Sequence, residues 1–184
     1  MGRRVKTWIA FLRGINVGGN KVLPMKELTA LLERNGCSDV KTYIQSGNVV
    51  FRSSMSEASR VEEHIRSVVS GRHGFEPRVL VLSRMELERA VASNPFADAE
   101  ADPKALHLFF LADSPTSPDI KSLSGAKSKS ESFALKGKVF YLHTPDGFGK
   151  SKLAERVERS LGVDATARNW RTVSTVLELA RTYQ

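Results

Sequence analysis

Residues 7–21 read TWIAFLRGINVGGNK. Trp8, Ile9, Ala10, Phe11 and Leu12 are a continuous apolar run rather than an alternating one, which predicts a central strand covered on both faces. Arg13 ends the run, and a loop carrying Gly14, Asn16, Gly18, Gly19 and Asn20 follows. Those residues tolerate positive φ and can turn backbone amides toward one point, as anion-binding nests do. Arg13 would add a planar donor fork beside them. The competing reading is a connecting loop whose glycines serve turn geometry alone.

Outward from this stretch, residues 24–35 predict a helix. Pro24 sits at its first turn, Met25, Leu28, Leu31 and Leu32 form its apolar stripe, and Gly36 closes it. VKTYIQSGNVVFR, residues 40–52, reads as two β-rich segments around a tight turn at Ser46-Gly47-Asn48. Residues 54–70 place Val61, Ile65, Val68 and Val69 at helical spacing, and residues 78–82 form a short apolar strand. The first 82 residues therefore read β-α-β-β-α-β.

The same order recurs in residues 83–184. A helix over 84–93 opens with Ser83 and Glu86 in capping-box spacing and stops at Asn94-Pro95. ALHLFFL (105–111) is a second buried-type strand, and Ser117-Pro118 opens a short helix. Residues 133–135 and 139–143 form a hairpin around Lys136-Gly137-Lys138. A helix is expected over 149–161, a short strand over 163–166 and a final helix from Trp170. The fold class this predicts is α+β: two tandem ferredoxin-like (β-α-β-β-α-β) subdomains, 1–82 and 83–184, with an additional C-terminal helix. The polar linker DAEADPK (98–104) is too short to separate independent domains, so the halves are expected to pack together.

At 184 residues the chain needs neither disulfide nor metal to stabilise its core. The single Cys37 cannot form an internal bridge; it fits a reducing compartment and reads as an inert, partly buried thiol. No apolar run approaches membrane-spanning length, and the basic residues 1–6 precede no secretory core, so a cytoplasmic protein without membrane association is expected. The net charge is +8 and unevenly spread. Residues 1–52 hold 9 Lys/Arg against 3 Asp/Glu, residues 53–120 hold 7 against 11, and residues 121–184 hold 12 against 6. Two basic ends favour an anionic partner such as a nucleotide, a nucleic acid or another phosphorylated molecule.

TPDGFGKS (144–151) ends in Gly-Lys-Ser between a strand and a helix. A Walker-type loop needs glycine where Thr144 stands, and too few strands follow for a phosphate-loop fold, which excludes that ATPase class. What remains is a helix start with Lys150, Ser151 and Lys152, suited to an anion or explained by ordinary helix initiation. A second helix start, ARNWRT (167–172), offers Asn169 as N-cap between Arg168 and Arg171. Trp170 there suits core filling better than stacking on a base. KGKVFYLH (136–143) is a poor version of the RNA-recognition signature. Phe140 and Tyr141 point to opposite faces, so at most one could stack on a base. No metal-ligand spacing links His64, His73, His107 and His143, no cofactor motif is present, and no nucleophile elbow surrounds a serine.

Taken jointly, LRGINVGG (12–19), TYIQSGNVVF (42–51), NPF (94–96), DGFGKSKL (146–153) and TARNWRTV (166–173) give a resemblance that covers nearly the whole chain. The sequence resembles the bacterial domain-of-unknown-function 1697 family. The resemblance implies a compact α+β protein of this size and no established reaction, substrate or catalytic residue. The family often has Arg where this chain has Lys150, and Asn where it has Arg171, so positive charge has shifted between the two helix starts.

The residues themselves suggest a basic cleft between the halves, bordered by Arg13, Asn16, Gly18, Gly19, Asn48, Lys150, Ser151, Lys152, Arg168 and Asn169. These lie at strand ends, turns and helix starts, where spare backbone donors occur. The leading expectation is a binding module for a phosphate-bearing ligand, a nucleotide or nucleic acid. The alternatives are a metal-independent hydrolase or transferase acting on an anionic small molecule, and a structural protein that pairs through its sheet or terminal helix.

Overall fold

The computed structural model describes residues 5–183; residues 1–4, part of the basic start, and residue 184 lie outside them. The chain divides into two compact units, residues 1–89 with 175–184, and residues 90–174. The division falls within two helices rather than at the expected 82/83 boundary, and the last ten residues belong to the first unit.

In the first unit β1 (Lys6–Arg13), α1 (Met25–Arg34), β2 (Ser38–Tyr43), β3 (Asn48–Ser53), α2 (Ala58–His73) and β4 (Arg78–Ser83) follow in the predicted order. The sheet has strand order β2-β3-β1-β4, with every pair antiparallel. The apolar run makes β1 a central strand, and Trp8 through Leu12 are buried on both of its faces. On one face Trp8, Ala10 and Leu12 pack with Met25, Leu28 and Leu32 of α1 and with Val61, Ile65 and Val69 of α2. Each fully buried aliphatic side chain there contributes roughly 1.5–3 kcal/mol relative to exposure.

The second helix begins later than its apolar spacing suggests. Glu57 is extended and the Ser53 hydroxyl accepts the Met55 amide, which holds the approach out of the helix. It ends later too, at His73, because the left-handed Gly74 (φ 72°) closes the last turn onto Ser70.

The linking segment holds α3 (Arg84–Ala92), whose capping box is formed as expected. The Ser83 amide donates to Glu86 at 2.8 Å, and the Glu86 amide donates back to the Ser83 hydroxyl at 3.3 Å. A 3-10 turn over Ala97–Ala101 follows.

In the second unit β5 (Leu106–Leu111), α4 (Ile120–Ala126), β6 (Ser132–Lys136), β7 (Val139–His143), α5 (Lys152–Leu161) and β8 (Ala165–Asn169) repeat the pattern, and α6 (Trp170–Arg181) completes the chain. The strand order β6-β7-β5-β8 corresponds position for position to that of the first sheet. Phe109, Leu111, Phe140 and Leu142 pack against Leu123 of α4 and Leu153, Val157 and Leu161 of α5.

The correspondence extends to detail. In each unit a glutamate on the second helix accepts an amide of the following edge strand: Glu62 from Val81 and Glu158 from Ala165, both at 2.9 Å. Each of those helices also ends on a left-handed glycine, Gly74 or Gly162.

The C-terminal segment is fastened to the first unit. The Tyr183 hydroxyl donates to the Asp39 carbonyl, Lys41 lies 4.9 Å from the Tyr183 ring centroid, and Arg84 donates to the Tyr183 carbonyl at 3.0 Å. Asp39 sits at a bulge in β2 with φ 53°. The tyrosine thus covers an irregular sheet edge.

Candidate functional site

Five of the ten candidate residues fall in each unit. In the first, the loop after β1 folds into a small hairpin of its own. Val17 bridges Asn20, the Asn20 amide donates to Val17 and the Asn16 amide donates to Lys21. Gly18 (φ 58°) and Gly19 (φ 76°) occupy its two central positions, both left-handed, as a type I′ turn requires. The glycines therefore do serve turn geometry, and the result is a protruding tongue rather than a cup.

Asn16 is the bolt that holds this tongue. Its side-chain amide donates to the carbonyls of Leu23 and Gln45, each at 2.9 Å, and its side-chain oxygen accepts the Leu23 amide at 2.7 Å. Gln45 belongs to the turn between β2 and β3, and its side-chain oxygen accepts the Met25 amide at the start of α1. That turn runs from Ile44 to Gly47, so Asn48 is the first residue of β3 and not part of the turn. Asn48 is fully buried and donates to the Tyr43 carbonyl and the Ser46 hydroxyl.

Gly47 touches the tongue's root directly, its carbonyl accepting the Leu12 amide at 2.8 Å. The motifs LRGINVGG and QSGN are thus two halves of one interlock. Arg13 pairs across the sheet with Arg78, and both already have partners within the protein. Of the five residues in this unit, Gly18 and Gly19 are the ones left exposed.

In the second unit, β7 ends at His143 opposite Leu106, and β8 ends at Asn169 opposite His107. The turn that follows β7 and the helix that follows β8 consequently leave from the same end of this sheet. Phe148 stacks on His107 there, with centroids 3.8 Å apart. Gly149 and Lys150 lie in a 3-10 turn over Phe148–Lys150 and not in the helix itself; α5 starts at Lys152, with Ser151 as N-cap. The buried Ser151 hydroxyl accepts the Ala154 amide at 3.0 Å.

Arg168 and Asn169 are the last residues of β8. Asn169 caps α6 by accepting the Thr172 amide at 2.9 Å, while Arg168 donates to the Ala167 carbonyl and has a further partner within the protein. Exposed cations at this end are Lys150, Lys152 and Arg171. Trp170 is buried, as core filling requires, and so are both Phe140 and Tyr141, which removes either as a stacking platform for a base. The Tyr141 hydroxyl donates to the Ala90 carbonyl at 2.7 Å, and burial pushes its pKa up to about 12.

Two open concavities lie elsewhere. One, of about 630 Å³, is lined by Phe96, Asp98, Asp102 and His143 among others; the second, of about 700 Å³, by Glu63, Arg66, Ser67 and Glu76 among others. None of the ten candidate residues lines either. Among the described residues no three His, Cys, Asp or Glu side chains gather so as to hold a metal ion, and no helix is long and apolar enough to cross a membrane. Cys37 is buried, which pushes its thiol up to about 11, far from a reactive thiolate.

His107 is the strongly perturbed imidazole that its strand position did not reveal. Burial lowers its pKa from the ordinary 6.5 to about 4, and its Nδ1 is buried without a hydrogen-bond partner. Below pH 6.5 the unfolded chain takes up a proton that the folded chain refuses. Stability is therefore complete above pH 6.5 and lost as the pH falls toward 4, by at most about 1.4 kcal/mol per pH unit. Denaturant titrations over that range should show this slope, and His107→Phe should flatten it.

A solved structure, that of the conserved bacterial protein SP0830 from Streptococcus pneumoniae, is similar at a TM-score of 0.74 and 24% identity, over 96% of this chain and 99% of that one. It shares the fold. No curated protein matches the sequence. Residues 5–141 match the family model described as "Protein of unknown function (DUF1697)". Since that match spans well over half of a chain whose two sheets repeat one strand order, the protein belongs to this family.

Proposed function

We propose that the protein binds a phosphate-bearing ligand through the tongue of its first unit, and that nucleic acid suits this surface better than a free nucleotide. The observation that carries the reading is the tongue itself. Gly18 and Gly19 present exposed amides that meet no acceptor among the described residues, and the exposed Lys21 and Lys26 follow closely in the chain. Charge supports it. The first unit holds 16 Lys/Arg against 10 Asp/Glu, a balance of +6, whereas the second holds 12 against 10.

Shape favours one ligand class over the other. A mononucleotide needs an enclosing pocket, whereas the tongue is an exposed two-residue turn that lines neither concavity described above. A polymer can lie across an exposed basic surface, with affinity led by phosphate contacts.

The test is titration with mononucleotides, short RNA and short DNA at two salt concentrations. Binding of the polymers should weaken steeply with salt, and the pair Lys21→Glu with Lys26→Glu should weaken it for every sequence. Each lost lysine contact should reduce the salt slope by about 1. Absence of polymer binding at low salt, or binding indifferent to salt, would overturn the proposal.

A further inference from the structure

Three of the four sheet edges are closed by side chains. On β4 the outward amides of Val81 and Ser83 donate to Glu62 and Glu86; on β8 the Ala165 amide donates to Glu158 and the Ala167 carbonyl accepts from Arg168; on β2 a bulge and the Tyr183 hydroxyl interrupt the row. Among the described residues nothing closes β6 in this way. It pairs with β7 through a two-residue turn, Gly137-Lys138, with Gly137 left-handed (φ 57°) as the first residue of a type II′ turn.

In such a hairpin the closing pair, Lys136 and Val139, is hydrogen-bonded. Alternation then directs the amides and carbonyls of Ser132, Ala134 and Lys136 toward β7, and those of Phe133 and Leu135 outward. No side chain among the described residues meets either outward amide. The strand SFALK is apolar at its centre, with Phe133 stacked on Phe140 beneath.

We infer that β6 is an association edge and that its partner is β6 of a second copy, paired antiparallel about a two-fold axis through Ala134. In that register Phe133 faces Leu135 of the other copy, and the reverse, so two outward donors and two outward acceptors per copy are all satisfied in four hydrogen bonds. The charges suit it as well. Lys136 falls opposite Ser132 rather than opposite another lysine, and Lys138 falls level with Ser130 while its charge is met by Asp113 of its own copy at 3.9 Å. A five-residue edge buries little surface, so the dimer should be weak and governed by concentration.

Sedimentation of the full chain tests this. The average mass should rise from 20.3 kDa toward twice that value between about 1 μM and about 1 mM protein. Leu135→Pro removes an outward amide without touching the ladder to β7, and should hold the mass at the monomer value while the circular dichroism spectrum stays native. Hydrogen exchange of the unmodified protein gives a readout that does not depend on that variant folding. The Phe133 and Leu135 amides should become protected as concentration rises, whereas Ala134 is protected throughout. A mass constant at 20.3 kDa, a dimer unchanged by Leu135→Pro, or exchange at Phe133 and Leu135 that ignores concentration would overturn the inference. So would a monomer that instead takes an extended peptide of another protein on this edge.

Discussion

Gly47→Ala is expected to lower the thermal unfolding midpoint on the order of 10 °C, from a loss of about 3 kcal/mol. Two costs add. Gly47 has φ 78°, a region where a Cβ costs roughly 1–2 kcal/mol. A Cβ built there would also stand 2.7 Å from the Leu12 Cβ, 3.0 Å from the Ile15 Cδ1 and 3.1 Å from the Leu12 carbonyl oxygen. The turn cannot retreat, because the Gly47 carbonyl holds the Leu12 amide at 2.8 Å; overpacking of this kind costs about 1–3 kcal/mol. Gly18→Ala is the control, since Gly18 is equally left-handed (φ 58°) but has open space around its Cβ position. It should lose only the conformational part, and thermal melts showing equal losses at the two glycines would refute the close-contact explanation.

Asn16→Ala should cost about 2–3 kcal/mol, because it removes three hydrogen bonds at once and leaves the Leu23 amide without its acceptor. Asn16→Asp should be at least as damaging. The acceptor for Leu23 survives, but a carboxylate would then face the Leu23 and Gln45 carbonyl oxygens where the amide now donates at 2.9 Å. Asn16 itself is left-handed (φ 55°), so Asn16→Gly separates the effects: it tolerates the backbone and still loses the bonds. Denaturant unfolding with an unchanged slope would assign the loss to the native interlock; a glycine variant as stable as the parent would show that the bonds matter little.

Much of this architecture was legible because β1, β5 and the helices carry their burial as periodicity. Continuous apolar runs marked the central strands, and the Ser83/Glu86 spacing marked a helix start correctly. The boundaries that moved did so through local hydrogen bonds that no periodicity reports. Ser151 rather than Gly149 starts α5 because its hydroxyl reaches the Ala154 amide. β8 extends to Asn169 because pairing with β5 continues through Arg168 and Asn169.

The site was less legible. Polar residues at turns and helix starts look alike in sequence, whether they face a ligand or finish the backbone's own hydrogen bonding. Asn16, Asn48, Ser151 and Asn169 do the second, each with named backbone partners. The positive φ of the β-branched Ile44 (49°), the first residue of the four-residue turn, had no sequence signal at all. His107 was equally hidden: its perturbation comes from burial beside Phe148, a contact that only the fold creates.

The residues proposed to meet a ligand are distinct from those that hold the interlock, and amide chemical shifts followed during titration with a short nucleic acid at low salt test that separation most directly. The largest changes should fall at Gly18, Gly19 and Lys21, with Gly47 and Asn48 nearly still. Tongue amides that do not move while saturation is reached elsewhere would contradict it.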